Sequence, residues 1–460
     1  MPQLKSLLIK NLTHIQYLQF LLLHFIMAFV VFAFRPASQF LLLGVIVFFL
    51  FFVVIRGNKN NEALMAAAYI AGGEVFFRMT GGMIFYETGK YAVILFLVIG
   101  MFYKGSSIKS VPFWIYLLIL IPGIVVASQT LSYEVVFRKA VAFNLSGPVC
   151  LGVSALYCYY KKITAVQFNY VLLMLLLPLV SNMVYLYLYT PDLGEALMSG
   201  TNSNYATSGG YGPNQISTVM GMGALLLCTR LFVIKNRLIN IIDLVLFGLM
   251  SYRAIVTFSR GGVLTAVICI ICFLFILYYK QTPREKSKTV RKLGLISIAA
   301  FGIWLFISVA TQGLINYRYT NRNAAGELEE DITTGRTELI VTELQGFYYN
   351  PVVGVGVGKA KEYREEETGI ETASHNEISR LLSEHGLLGL VAILILIFVP
   401  VLFWLKFKNN YYFLAFVAFW FLTINHSAMR IALPALVYGL ALLYIVDDKK
   451  RPMPRKKIRV

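Results

Sequence analysis

Fourteen apolar stretches follow one another along this chain with mostly short polar connections between them. They lie near 17–34, 40–55, 63–79, 91–104, 110–127, 140–160, 168–189, 215–233, 238–257, 262–279, 293–312, 386–405, 410–425 and 430–446. A helix needs about 20 apolar residues to cross the hydrocarbon core, and a backbone left unpaired there is costly. The pattern therefore predicts an all-α polytopic membrane protein of about 12–14 transmembrane helices, since several stretches are short. Composition agrees, with 58% hydrophobic and 14% charged residues, against about 45–50% and 25% in soluble domains. Pro122, Pro148, Pro178, Pro400 and Pro434 fall inside the stretches, where neighbouring helices can satisfy the freed backbone groups.

The net charge of +18 comes from 41 Lys and Arg against 23 Asp and Glu. These cations do not form one soluble face, which argues against nucleic-acid binding. They sit in clusters in alternate connections: Arg56/Lys59, Lys104/Lys109, Lys161/Lys162, Lys235/Arg237, Lys280 to Lys292, Lys406/Lys408 and the tail Lys449 to Arg459. The positive-inside rule places these loops and both termini in the cytoplasm. The opposite loop 190–214 has no Lys or Arg, only Asp192 and Glu195. Lys5 and Lys10 precede the first apolar run without a small-residue cleavage site, which predicts a retained first span. Cys150, Cys158, Cys228, Cys269 and Cys272 all lie in apolar runs. The Cys269-x-x-Cys272 spacing is thus read as soft packing rather than a redox or metal motif.

Two outward loops are long: 190–214, rich in Gly, Ser, Asn and Tyr, and 313–385, the one place for a soluble subdomain. The second is strongly charged, with Glu327 to Asp331 early and Arg364 to Glu367 late. Between them Thr337 to Tyr349 fits an amphipathic helix with Leu339, Ile340, Leu344 and Phe347 on one face. A loop this long is usually functional or disordered.

Chemistry-bearing residues gather at the outward junctions. Ser259-Arg260-Gly261-Gly262 puts a planar, bidentate cation at the headgroup zone beside glycines that permit close approach; it also suits a tight turn with a snorkelling arginine. His375-Asn376, then nine residues and Gly386-Leu387-Leu388-Gly389, place a histidine just before or within a helix. That histidine can take a proton near neutral pH, or else simply precede a helix capped by Ser374 with Glu377 in its first turn. Asn350-Pro351 leads into Gly354, Gly356 and Gly358, but the spacing fails the Walker pattern, and Ala360 stands after Lys359. A flexible or tightly turned segment is expected there rather than a nucleotide site. Tyr211 to Gln215 and Gly335-Arg336 are lesser candidates. Within the third span Glu74 and Arg78 are either a functional intramembrane pair or an i,i+4 ion pair. Arg138 and Arg253 are further outward-side cations, and His426 and Arg430 are placed near the same face without a role.

Taken in order, these motifs resemble the O-antigen ligase and O-antigen polymerase family over roughly 205–405. They are G-P-N-Q opening a span, S-R-G-G, a long outer loop with G-R, N-P-x-x-G-x-G-x-G, and H-N-x9-G-x-x-G. The resemblance implies a GT-C-like membrane glycosyltransferase of the bacterial inner membrane. Such an enzyme moves a glycan, with inversion and without metal or other cofactor, from undecaprenyl diphosphate to an acceptor sugar on lipid A core or a lipid-linked repeat unit. It implies His375 as base and Arg260 on the diphosphate, with Arg336, Asn376, Asn214, Gln215 and Ser259 contacting substrate. The second arginine expected of such a site is Arg78, Arg138 or Arg253. The implied organisation is an N-terminal bundle 1–200, a core 205–405 and a C-terminal part 406–460. A protein oligosaccharyltransferase shares the H-N pattern. A flippase or transporter is the alternative of another class, but it predicts an internal repeat that the sequence lacks.

Overall fold

A computed structural model of the chain describes residues 14–190, 200–329, 331, 333, 335–369 and 372–446. Lys5, Lys10, Asp192, Glu195, Glu330 and the tail Lys449 to Arg459 lie outside them. All fourteen apolar stretches fall largely on helices. They are α1 (His14–Ala33), α2 (Ala37–Arg56), α3 (Glu62–Met79), α4 (Thr88–Lys104), then α5 (Val111–Leu118) and α6 (Ile121–Thr130) sharing one stretch. After them come α7 (Phe137–Cys158), α8 (Ala165–Tyr189), α9 (Pro213–Val233), α10 (Arg237–Ile255), α11 (Arg260–Tyr279) and α12 (Pro283–Ala310). The outer loop contributes α13 (Leu314–Tyr319), α14 (Arg336–Tyr349) and α15 (Lys359–Thr368), and the chain returns through α16 (Glu377–Lys406), α17 (Phe413–Ser427) and α18 (Ala432–Ala441). Among the described residues ten helical segments are long and apolar enough to cross a membrane, Ile108–Thr130 counting as one. The protein is an all-α polytopic membrane protein.

Pro148, Pro178 and Pro400 sit inside α7, α8 and α16. Pro122 instead opens α6, where a missing N–H costs nothing and the chain can break the span in two. The last stretch is shorter than the sequence suggests. α18 ends at Ala441, and Tyr444–Val446 form a strand, β2, paired in parallel with β1 (Lys162–Thr164). The run Tyr444-Ile445-Val446 is apolar enough to read as helix, but its β-branched residues and the free edge of 162–164 favour pairing.

Several of the basic connections meet one another. Lys104 Nζ donates to the Lys59 carbonyl at 2.9 Å, Tyr444 N to Lys161 at 2.9 Å, and Lys280 Nζ to Lys408. The centre of the bundle is α3, α8 and α9, buried nearly throughout, with α8 packed on α3, α9 on α10 and α11, and α18 on α7. Small residues bring the backbones together: a Cβ on Gly72 would stand 2.3 Å from the Leu175 carbonyl oxygen. α12 lies at the edge, burying Thr289, Ile296 and Ile307 alone.

Candidate active site

The Ser259-Arg260-Gly261-Gly262 corner starts α11, and each of its residues has a neighbour that explains it. A Cβ on Gly262 would lie 2.4 Å from Ser217, and one on Gly261 would lie 2.6 Å from the His426 ring. The two glycines thus let α11 close onto α9 and α17. Ser259 Oγ donates to Asn214 Oδ1 at 2.7 Å, and Ser217 Oγ donates to the Ser259 carbonyl at 3.0 Å. These bonds dock the start of α11 against the start of α9, where Gln215 is buried with its Oε1 unpartnered among the described residues. Arg260 is half-buried, its Nη1 3.4 Å from both the Arg318 carbonyl and Asn321 Oδ1.

His375 lies just before α16, and its carbonyl accepts from Ala428 N at 3.1 Å. The cap of α16 is Asn376, not Ser374: Asn376 Oδ1 accepts from Ile378 N at 2.9 Å and Ser379 N at 3.2 Å. Ser374 Oγ instead bonds the backbone of Asn376, folding the chain back on itself. Being one residue from the first helical turn, Asn376 has the reach to satisfy its orphan donors. Its Nδ2 donates to Asn425 Oδ1 at 3.0 Å.

The end of α17 joins the two motifs. Asn425 holds Asn376, Ala428 holds His375, and His426 sits against Gly261 with Nε2 3.2 Å from Thr218 Oγ1. Thr218 Oγ1 in turn donates to the Asn214 carbonyl at 2.7 Å. Residues distant in sequence thus form one continuous cluster: Asn214, Thr218, Ser259, Gly261, His426, Asn425 and the His375–Asn376 pair.

Arg430 completes it, donating from Nη2 to the Ala373 and Ser374 carbonyls at 3.1 and 2.8 Å. Arg430 is itself seated by the third-span pair. Arg78 Nη1 donates to the Arg430 carbonyl at 3.0 Å, its guanidinium lies 4.0 Å from the Tyr86 ring, and Glu74 pairs with Arg78 while accepting from Ala432 N at 2.5 Å. The i,i+4 reading of Glu74 and Arg78 holds, and the pair also fixes the turn that carries Arg430. Arg253 serves elsewhere, donating to the Thr190 carbonyl at 2.7 Å and stacking on Tyr187.

Cations converge on the histidine. Burial, then Arg430, Arg336, Arg364 and His426 in turn, push the His375 pKa down to about 4. Burial and Arg260 lower the pKa of Arg336, and burial, Arg260 and Arg336 lower that of Arg318 against the opposing pull of Glu329. His375 Nδ1 is buried and has no partner among the described residues. Arg364 is held by Glu343, while Arg430 and Arg336 add positive charge around a neutral imidazole, an arrangement that suits an anion.

The glycine-rich motif is a tightly packed connection. Val355 N and Gly356 N donate to the Ser383 and Glu384 carbonyls at 2.8 and 3.2 Å, Leu387 N to Pro351 at 2.7 Å, and Val357 N to Gly123 at 3.0 Å. Segment 351–358 therefore passes between α6 and the kink of α16 at Gly386, at the depth of the spans. Non-helical backbone is tolerated there because protein covers it. Gly354 has φ +73°, and a Cβ would stand 2.4 Å from the Glu384 carbonyl carbon. Gly354→Ala is thus expected to destabilise by about 2–4 kcal/mol, from left-handed strain plus overpacking. Thermal unfolding of the detergent-solubilised protein should show a clear drop. An unchanged midpoint would contradict this packing.

In α14 the buried residues are Leu339, Thr342, Glu343 and Gly346. Leu344, expected on the packed face, is exposed, because Glu343 takes the inward position to pair with Arg364 and accept from Ser379 Oγ at 2.5 Å. A cavity of about 1000 Å³ under α15 is lined by Tyr86, Tyr91, Arg138, Phe143 and Glu362 and reaches Ser374 beside His375.

Sequence reasoning did not assign Arg430, His426, Glu343 or Thr218. A lone arginine in an otherwise weakly basic outer connection was the available signal for Arg430. Residues 245–394 match the model of the O-antigen ligase family, a stretch that includes Arg260, Arg336 and His375. No curated protein and no solved structure matches the chain.

Proposed function

Because the chain carries an O-antigen ligase domain at residues 245–394 within a bundle of apolar helices, we propose that it transfers a glycan from undecaprenyl diphosphate to an acceptor sugar hydroxyl at the outer face of the inner membrane. The observation that carries the reading is the cluster itself: a partnerless imidazole nitrogen among Arg430, Arg336 and Arg364, joined through α17 to the Arg260 corner. In this reading the acceptor oxygen attacks C1 of the donor sugar from the face opposite the diphosphate. The C1–O bond breaks, the diphosphate leaves with the bonding electrons, and His375 takes the hydroxyl proton. Arg260 and Arg336 offset the charge that develops on the leaving group, which is worth most where water is excluded. Asn376, Asn214 and Ser259 hold the backbone segments that carry these groups, and Gln215 offers its free Oε1 to a sugar hydroxyl. The cavity beside Ser374 has the volume and the mixed aromatic and charged lining for sugar rings. The cytoplasmic placement of both termini follows from the basic loops.

The test is complementation in a host lacking its own ligase or polymerase, with surface polysaccharide read on a gel. Wild type should restore long or core-attached glycan, and Arg260→Ala and His375→Ala, at equal membrane expression, should not. Variants that work like wild type would reduce both residues to a turn and a helix start.

The pH profile is a second check. Its depressed pKa keeps His375 neutral, and able to accept a proton, down to about 4 in the free protein. A bound diphosphate offsets the arginines and raises that value. The acid limb of kcat/KM should therefore lie well below the ordinary histidine value of about 6.5, with the limb of kcat at higher pH. A kcat/KM limb above the ordinary value would contradict the assignment.

A further inference from the structure

Helix α14 buries Leu339, Thr342, Glu343 and Gly346 against the protein. Its other face carries Val341, Leu344 and Tyr348, spaced three and four residues apart and 49%, 41% and 78% exposed. The exposed run continues past the helix in Tyr349 and Val352. An apolar patch of this kind facing water is unusual in a folded protein and marks a contact surface.

The depth of this patch is fixed by its backbone. Directly after it, Pro351 accepts from Leu387 N, and Val357 N donates to Gly123 in α6. At that level the neighbouring spans already show lipid-facing side chains: Ile121 and Val125 on α6, and Leu387, Leu390 and Val391 on α16. The exposed face of α14 thus leads, through Tyr349 and Val352, to the level at which α6 and α16 expose apolar side chains. Tyr348 and Tyr349 occur where that surface meets water, the position at which tyrosine rings are favoured.

We propose that α14 is an interfacial helix whose Val341–Leu344–Tyr348 face lies in the outer leaflet, its partner being the lipid surface itself. Arg336 is the first residue of α14, and the buried Glu343–Arg364 pair and the Glu343–Ser379 bond tie the helix to the start of α16. The leaflet thus sets the height of Arg336 above the membrane. That consequence rests on the transferase reading, whereas the docking does not.

The test uses the full chain in phosphatidylethanolamine–phosphatidylglycerol vesicles. An environment-sensitive fluorophore is attached at Leu344→Cys, at Tyr348→Cys or, as control, at exposed Glu367→Cys on α15, and the unsubstituted protein gives the background of the native cysteines. Lipids with a shallow nitroxide should quench the first two labels about twofold or more strongly than the third, and aqueous iodide the reverse. Equal iodide quenching at all three sites would overturn the proposal. So would labels at 344 and 348 that neither quencher reaches, which would mean that protein covers the face.

Discussion

Replacing His375 with Ala is expected to lower glycan transfer by roughly 10²–10⁴-fold while leaving the protein folded and in the membrane. The side chain contributes little to the fold: Nδ1 has no partner among the described residues, and it is the backbone carbonyl, present in any residue, that accepts from Ala428. Donor binding should change little, because the arginines proposed to meet the diphosphate are untouched. A single-turnover measurement with excess protein would separate the two effects. A loss confined to KM would assign His375 to binding and remove it from the proton transfer.

Replacing Arg260 with Ala is expected to lower kcat by roughly 10²–10³-fold, the range found when one preorganised donor to a developing charge is removed. Arg260→Lys should recover only part of that loss, since an ammonium keeps the charge but not the planar pair of donors. Ser259, Gly261 and Gly262 hold this corner by their own contacts with Asn214, His426 and Ser217, so the local fold should survive either change. Full activity in Arg260→Lys would mean that charge alone suffices. Full activity in Arg260→Ala would move the diphosphate to Arg336, Arg318 or Arg430.

The membrane fold was legible because each span is a local signal, about 20 apolar residues long, that needs no knowledge of its neighbours. The errors fall where the outcome depends on a distant partner. Tyr444 to Val446 continue an apolar run, yet they pair with residues 162–164. Leu344 fits an apolar face by periodicity, yet Glu343 is buried because Arg364 waits for it. Ser374 and Asn376 are both good capping residues, and only the path of the chain decides between them.

The same distinction holds at the site. Arg260, Arg336 and His375 stand out through their positions in ordered motifs. Arg430 and His426 carry no local pattern and reach the cluster by contacts across 57 and 208 residues of sequence, to Ala373 and Thr218. The glycines of 354–358 and those at 386 and 389 read as two separate motifs. In the structure they are one connection, bonded at Pro351–Leu387 and Val355–Ser383.

This bundle is proposed to move a glycan off a diphosphate carrier using His375 and the surrounding arginines. Purified protein in vesicles, supplied with an undecaprenyl-diphosphate-linked glycan and an acceptor glycolipid, tests it most directly by the release of undecaprenyl diphosphate. Release should be matched one for one by elongated or glycosylated acceptor, abolished in His375→Ala and sharply reduced in Arg260→Ala. Transfer at the wild-type rate in both variants, with each correctly folded, would contradict it.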